Sequence, residues 1–216
     1  MPSRRETGTV ACMGIYGDHV LPHIINFCCG MKQVNPLRER TCAGLQGRVL
    51  EIGFGSGHNV AFYPPKVTSV TAIEPSDSAW RIATKRLDTA SVPIERGGLD
   101  GQSLPYPNAS FDSALSTWTL CTIPDAVAAL DEIRRVLVPG GQLHFVEHGL
   151  APDAKVRRTQ RRLEPMQKRM FGGCHLTREI ADLITQAGFE IVELDEFYEE
   201  GAPKPMGAAS LGIAAA

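Results

Sequence analysis

Three glycines at alternate positions form the part of this sequence with the clearest chemical meaning. Gly53, Gly55 and Gly57 follow a mainly apolar run, within Val49-Leu-Glu-Ile-Gly-Phe-Gly-Ser-Gly57. Such a run is typical of a buried parallel strand. Glycines after it allow positive φ angles and let a ligand approach the backbone without meeting a Cβ atom. The pattern therefore predicts a nucleotide-type ligand site at the carboxyl end of the strand.

The glycine spacing does not fit a dinucleotide. The G-x-G-x-x-G fingerprint needs a third glycine at position 58 or 60, where the chain has His58 and Val60. This disfavours a nicotinamide oxidoreductase. Glu74 ends the next apolar run, near the offset at which an acidic residue accepts hydrogen bonds from a ribose. The competing interpretation of Glu74 is a carboxylate that starts the helix beside Ser76.

Four segments in the correct order resemble class I S-adenosylmethionine-dependent methyltransferases. They are Glu51-x-Gly-x-Gly-x-Gly57, the acidic end of the second strand, Leu99–Asp112, and Leu137-Val-Pro-Gly-Gly-Gln-Leu143. The resemblance implies S-adenosyl-L-methionine as cofactor, with Asp100 contacting the adenine amino group and Gly101 offering its backbone. The cofactor-binding residues that it implies are Glu51, Gly53, Gly55, Gly57, Asn59, Glu74, Pro75, Ser76, Asp100, Gly101, Thr117 and Trp118.

Three further segments resemble a narrower group, the methyltransferase type 11 proteins. They are Ser116–Asp125, Phe145–Gly149 and Gly172–Arg178. The group includes bacterial proteins and the mammalian alkyl thiol methyltransferases, whose hydrophobic N-terminal anchor we do not find in this sequence. The resemblance implies a small, fairly apolar acceptor, with a thiol as first choice. Two alternatives stay open: O- or C-methylation of a phenolic, quinone or lipid-like molecule, and a non-catalytic protein that binds an adenosine ligand.

The acceptor side offers several histidines and one Cys-His pair. His148 follows the fifth strand and is the candidate base, although a structural role at the strand end is an equal alternative. A thiol needs a base less than an alcohol does, because its ordinary pKa is about 8.5. A covalent Cys-His nucleophile is not required for methyl transfer. The residues predicted to line the substrate pocket are Tyr16, His19, His23, Cys174 and His175.

Composition excludes several other classes of function. The length of 216 residues predicts one domain, and the formal charge of −2 gives no general attraction to nucleic acid. No apolar run is long enough to span a bilayer, so we expect a cytoplasmic protein that does not insert into a membrane. The six cysteines contain no C-x-x-C pair, so no metal is predicted. The basic run from Lys155 to Arg169 is interpreted as a solvated amphipathic helix. The oligomeric state is left open.

The elements that must position these residues alternate between strand and helix, which predicts an α/β, three-layer Rossmann-like sandwich around a seven-stranded, mostly parallel sheet. Helical lids are expected over residues 1–45 and near the start of 151–216, around a cofactor-binding core at 46–150. Thr177 is expected to cap a helix, and Pro165 to kink or split one. The predicted strands are 48–52, 67–73, 94–97, 111–117, 141–147, 189–197 and a segment after 205. The predicted helices are 19–31, 36–44, 58–63, 76–89, 125–136, 154–170 and 177–187.

Overall fold

A single seven-stranded sheet organises the protein, for which a computed structural model describes residues 16–216. The sheet order is β3-β2-β1-β4-β5-β7-β6, and β7 alone runs antiparallel to its two neighbours. The predicted sandwich with a mostly parallel sheet is confirmed. The strands are β1 (Gly47–Ile52), β2 (Val67–Ile73), β3 (Ile94–Gly98), β4 (Phe111–Thr117), β5 (Leu137–His148), β6 (Glu190–Tyr198) and β7 (Ala208–Ala215).

Helices cover both faces of this sheet. Alternation along β1 sends Leu50 and Ile52 to one face and Val49 to the other. The first face packs against the helices at 126–136 and 180–186, and the second against those at 35–42 and 77–87. The helices are α1 (Leu21–Cys29), α2 (Asn35–Cys42), α3 (Asp77–Leu87), α4 (Ala126–Val136), α5 (Ala154–Met170), α6 (Ile180–Gln186) and α7 (Lys204–Gly207), and His58–Phe62 forms a 3-10 turn.

Of two local predictions about the second half of the chain, one is wrong in part and one in full. α5 continues through the exposed Pro165, so the helix is not split there, and a kink at this residue stays a prediction. Thr177 does not cap α6, which begins at Ile180 after Glu179. The N–H and hydroxyl of Thr177 instead donate to the carboxylate of Glu164 on α5.

The N-terminal segment lies over the carboxyl edge of the sheet. Tyr16–Val20 forms a π-helical turn before α1, and the hydroxyl of Tyr16 donates to the carbonyl of Met170 at the end of α5. The carbonyl of Asn26 lies 3.1 Å from Nε2 of His58, next to the glycine loop. That this segment acts as a lid stays a prediction. Residues 1–15 of that expected lid, with Cys12, lie outside the described range.

Within residues 16–216, no helix combines the length and apolar character that crossing a bilayer requires.

Candidate active site

The glycine loop after β1 makes a sharp turn with an open side. Gly53 and Gly55 have φ angles of 72° and 57°, in the left-handed region that favours glycine. A Cβ atom on Gly53 would overlap the side chain of Thr119, whereas one on Gly55 would meet only the carbonyl of Gly53, at 3.9 Å. Gly53 thus lets the loop pack against the end of β4, and Gly55 leaves space for a ligand.

Glu74, at the end of β2, faces this loop. Its carboxylate is buried and accepts hydrogen bonds from the N–H groups of Gly55 and Ser76, both at 2.7 Å. Burial raises the pKa of Glu74, and the two hydrogen bonds act in the opposite direction. Within residues 16–216 each carboxylate oxygen accepts one hydrogen bond, which leaves a lone pair for a ribose hydroxyl. Ser76, rather than Glu74, caps α3 through its hydroxyl, which accepts from the N–H of Ala79.

Asp100 follows β3 at the same edge. Its Oδ1 atom accepts from the backbone and side chain of Gln102, and within residues 16–216 no group donates to Oδ2. Gly101 lies against Ile52, whose Cγ2 atom would be 3.1 Å from a Cβ at that position. An adenosine-type ligand fits this edge of the sheet. It would have space beside Gly55, a buried acceptor in Glu74 and a second acceptor in the Oδ2 atom of Asp100. Pro75, also predicted to bind the cofactor, is exposed.

Glu51 and Asn59 form a buried polar network beneath the loop. The side-chain amide of Asn59 donates to Glu51 at 2.9 Å and to Thr117 at 3.0 Å, and Tyr63 donates its hydroxyl to Glu51. Arg38, on α2, donates to Oδ1 of Asn59 at 2.6 Å. Burial raises the pKa of Glu51 to about 7, although its hydrogen bonds partly offset this. Asn59 and Thr117 therefore support the loop through this network.

Trp118 connects α2 with the C-terminal part of the chain. The guanidinium of Arg38 lies 4.7 Å from the centre of the indole ring, a cation–π contact. The indole N–H donates to Glu199 at 2.8 Å, and Trp118 has a φ of 50°, which is unusual for a bulky residue. These contacts hold the ring in one orientation at the end of β4, between Arg38 and Glu199.

Cys121, His148 and Cys174, which we call the Cys–His cluster, meet beside Trp118. The two sulfur atoms are 3.7 Å apart, and the possible ligand atoms of all three residues lie within 4.8 Å of one another. Nε2 of His148 lies 3.5 Å from Glu199. Burial lowers the pKa of His148, but hydrogen bonds to Cys174 and Glu199 outweigh this and raise it to about 10. The hydrogen bond with Cys121 lowers the pKa of Cys174, and His148 adds to that effect.

A buried carboxylate, Glu147, anchors the turn that carries Cys121. It accepts hydrogen bonds from the hydroxyl of Ser116 at 2.7 Å and from the N–H groups of Thr119 and Cys121 at 3.0 and 3.2 Å. The N–H of His175 donates to the carbonyl of Cys121 at 2.8 Å. The turn after β4 and the loop after α5 are thereby fixed to each other.

The predicted pocket residues separate into two groups. Cys174 and His175 lie against Cys121 at the end of β4, as their glycine-bounded loop allows. Tyr16, His19 and His23 are exposed on the N-terminal segment, and the two histidines form no hydrogen bond within the described residues. The pocket role of these three stays a prediction.

The sequence analysis did not identify four residues that contribute to the site: Arg38, Cys121, Glu147 and Glu199. Arg38 had no signal, because the exposed Arg40 is equally placed in the same polar helix. Glu147 and Cys121 stand in segments that carry the family resemblance, and this was their only signal. Glu199 follows β6 in a polar stretch that looks solvated.

Comparison with known proteins gives consistent results. The family described as "Methyltransferase domain" matches residues 50–145. The chain is 36% identical over 151 residues to the thiol S-methyltransferase TMT1B of Rattus norvegicus, covering 68% of this chain and 62% of that protein. It is 34% identical over 171 residues to the Homo sapiens thiol S-methyltransferase TMT1B, covering 76% and 67%.

Among solved structures, a SAM-dependent methyltransferase from Methanosarcina mazei is similar, with a TM-score of 0.63 and 25% identity. The match covers 78% of this chain and 91% of that one. The rat alignment spans less than two thirds of the curated relative's length.

Proposed function

This chain belongs to the class I S-adenosylmethionine-dependent methyltransferases, and we propose that it methylates the sulfur of a small, fairly apolar thiol. S-adenosylmethionine is the cofactor of this family, and it supplies a methyl group that its sulfonium centre already activates. The protein must then hold the acceptor in line with the bond that breaks and keep water away from it.

The edge formed by β1, β2 and β3 supports the donor half of this proposal. Glu74 offers a buried acceptor for the ribose hydroxyls, and the free oxygen of Asp100 accepts from the adenine amino group. The open side of Gly55 allows the amino-acid end of the donor to approach the backbone. These are the roles that the sequence predicted for the three residues.

The observation that carries the thiol assignment is the similarity to two thiol S-methyltransferases over most of this chain. The chemistry agrees with it, because a thiol is partly ionised near neutral pH without help from a general base. The proposal therefore does not depend on the predicted role of His148 as a base.

Apolar side chains around the N-terminal segment support an apolar acceptor. Val20 and Phe27 project from this segment, and Phe27 is 73% exposed. Met166 and Met170 are exposed on α5, and the hydroxyl of Tyr16 donates to the carbonyl of Met170, which joins the start of the N-terminal segment to the end of this helix. An apolar acceptor that covers such side chains removes apolar surface from water.

An acceptor screen tests this function. Purified protein is incubated with S-adenosylmethionine and, in parallel, hydrogen sulfide, small alkyl thiols, phenols, quinones and phosphatidylethanolamine vesicles, and S-adenosylhomocysteine release is measured. We expect turnover with alkyl thiols. Turnover with a phenol or quinone and none with any thiol would assign O- or C-methylation instead. Calorimetry in parallel should detect binding of S-adenosylhomocysteine and none of NAD. Binding without turnover of any acceptor would favour a non-catalytic adenosine binder.

A further inference from the structure

We propose that Cys121, His148 and Cys174 bind a zinc ion, with its fourth coordination position open to the sulfur of the acceptor. The proposal deepens the proposed function and rests on it for the identity of the fourth ligand. The sequence predicted no metal, because no two cysteines have the C-x-x-C spacing. The fold assembles these ligands from the turn after β4, the end of β5 and the loop after α5.

The distances fit a tetrahedral zinc site. Zinc–sulfur bonds are about 2.3 Å long, so two sulfur ligands of a tetrahedral ion lie about 3.8 Å apart. The sulfur atoms of Cys121 and Cys174 are 3.7 Å apart, whereas a disulfide requires about 2.05 Å. The sulfur–nitrogen separation in such a site is about 3.5 Å, and all three pairs here are within 4.8 Å. Two cysteines and one histidine with an open position are a known set for catalytic zinc.

The backbone around both cysteines is fixed without a metal. Glu147 accepts the N–H of Cys121, and the loop after α5 donates back to the same turn through His175 and through the guanidinium of Arg178, which binds the carbonyl of Leu120. The two sulfurs therefore face each other because of backbone contacts rather than a direct bond. Little ordering is left for the metal to impose.

Glu199 provides the carboxylate that commonly stands behind a ligating histidine. Its Oε1 atom lies 3.5 Å from Nε2 of His148 and accepts the indole N–H of Trp118 at 2.8 Å. Such a carboxylate fixes the orientation of the imidazole and raises its basicity as a ligand. The contact to Trp118 in turn fixes the carboxylate.

The cluster lies next to the donor site. β1, β4 and β5 are neighbours, and adjacent strands are about 4.8 Å apart. Thr119 contacts the carbonyl of Gly53 at 3.5 Å, and Cys121 follows two residues later. A sulfur bound at the fourth position is thus within reach of a methyl group held over the glycine loop.

The reaction balances without a further reagent. The acceptor thiol binds zinc as a thiolate and releases its proton to solvent, because coordination lowers the thiol pKa. Its sulfur forms the new bond to the methyl carbon while the carbon–sulfur bond of the donor breaks, and that electron pair stays on the donor sulfur. The product is a neutral thioether, a weaker ligand than the thiolate, and it leaves the metal.

Metal binding is tested directly on the full chain. The protein is purified under reducing conditions, its zinc content is measured, and the stripped protein is titrated with Co²⁺ while the thiolate-to-cobalt absorption is recorded. We expect about one ion per chain, with the strong absorption of a tetrahedral sulfur site. Cys121→Ser and Cys174→Ser should abolish that absorption while circular dichroism and S-adenosylhomocysteine binding are kept. Cys28→Ser, on α1, is the matched control and should bind Co²⁺ like the wild type.

A second pair of variants tests the outer carboxylate. Glu199→Gln should weaken zinc affinity by about 10- to 100-fold, and the neighbouring exposed Glu200→Gln should leave it unchanged. A folded wild-type protein that binds neither Zn²⁺ nor Co²⁺, or one whose Cys121 and Cys174 are found as a disulfide without metal, would overturn the proposal.

The two proposals fail in distinguishable ways. Metal binding without turnover of any thiol removes the proposed function and leaves the metal site standing. Full thiol turnover by metal-free protein removes the metal site and leaves the proposed function standing. Addition of the acceptor thiol to the Co²⁺ protein should also change its absorption spectrum, which a purely structural ion with a closed coordination sphere would not allow.

Discussion

Replacement of Glu74 by glutamine is the most informative single change in the donor site. The substitution keeps the size of the side chain but removes its charge and turns one acceptor oxygen into an N–H donor. In the native protein, both oxygens accept backbone N–H groups at 2.7 Å, from Gly55 and Ser76. The new amide must therefore either face a backbone donor or rotate away from it. In each case the ribose loses part of its acceptor.

The size of the effect follows from these contacts. A hydrogen bond to a charged group contributes about 1.5–3 kcal/mol, against about 1 kcal/mol for a neutral one. The substitution converts one charged acceptor to a neutral one and removes the other. We therefore expect a loss of about 2–5 kcal/mol in cofactor binding, or roughly a 30- to 4,000-fold rise in Kd.

Calorimetry with S-adenosylhomocysteine measures this loss, and a 2′-deoxyribose analogue separates ribose contact from general damage to the loop. In the wild type the analogue should bind less tightly than the parent ligand, whereas Glu74→Gln should bind both nearly alike. Glu95→Gln, an exposed change on the neighbouring β3, is the control. An unchanged Kd, or an analogue penalty as large in the variant as in the wild type, would refute the assignment of Glu74 to the ribose.

Three further predictions concern the surroundings of the site. Gly53→Ala should destabilise the protein by about 2–4 kcal/mol in chemical denaturation, because the new Cβ atom would be in the left-handed region and would overlap Thr119. Gly140→Ala is the control and should cost only about 1 kcal/mol, because Gly140 has a φ of 77° but a Cβ atom there would have no atom within 4 Å. Equal losses of unfolding free energy in the two variants would contradict the close packing at Gly53. Arg38→Lys should lower the unfolding free energy by about 2 kcal/mol, because a lysine cannot donate to both Asn59 and the carbonyl of Cys29 as the guanidinium does. The exposed Arg40→Lys is the control, and an equal cost in the two variants would argue against the network around Asn59. Burial lowers the pKa of His144 to about 4. The unfolded chain therefore takes up this proton below about pH 6.5 and the folded chain does not, so its contribution is present at higher pH and is lost as the pH falls. When the pH falls from about 7 to 5, the unfolding free energy of His144→Leu should decrease by about 2 kcal/mol less than that of the wild type, as measured by denaturation curves. An equal decrease in both proteins would rule out the burial effect.

The sequence predicted the elements that depend on local patterns. β2 and β4 match their predicted bounds, because apolar runs with clear turn signals leave little choice. Glu74 was predicted as a cofactor residue because it follows a strand of a parallel sheet, and the carboxyl ends of such strands share one edge. The role of Asp100 was implied by the family resemblance of the segment Leu99–Asp112.

Features that depend on distant contacts were not predicted. Cys121 and Cys174 are 53 positions apart, and only the packing of the loop after α5 against the turn after β4 brings them together. Thr177 was interpreted as a helix cap from its local sequence, which does not reveal that its N–H donates to Glu164 on α5. The network that joins the amide of Asn59 to Glu51, Thr117 and Arg38 was not predicted either, because no local pattern indicates it. The cofactor role of Asn59 stays a prediction.

The position of β7 has a consequence for how the chain reaches this fold. β7 is synthesised after β6 but lies between β5 and β6, and it pairs with both in antiparallel register. During synthesis, β5 therefore keeps one open edge for some sixty residues of further chain growth, and β6 has no place in the sheet until β7 arrives. Such long-range pairing slows folding and exposes a strand edge that other chains can join. Gly212 must then fit against Phe145 and the carbonyl of Glu193, which a Cβ atom would prevent. The last step of sheet assembly thus depends on one small residue, and its loss should direct nascent chains toward aggregation.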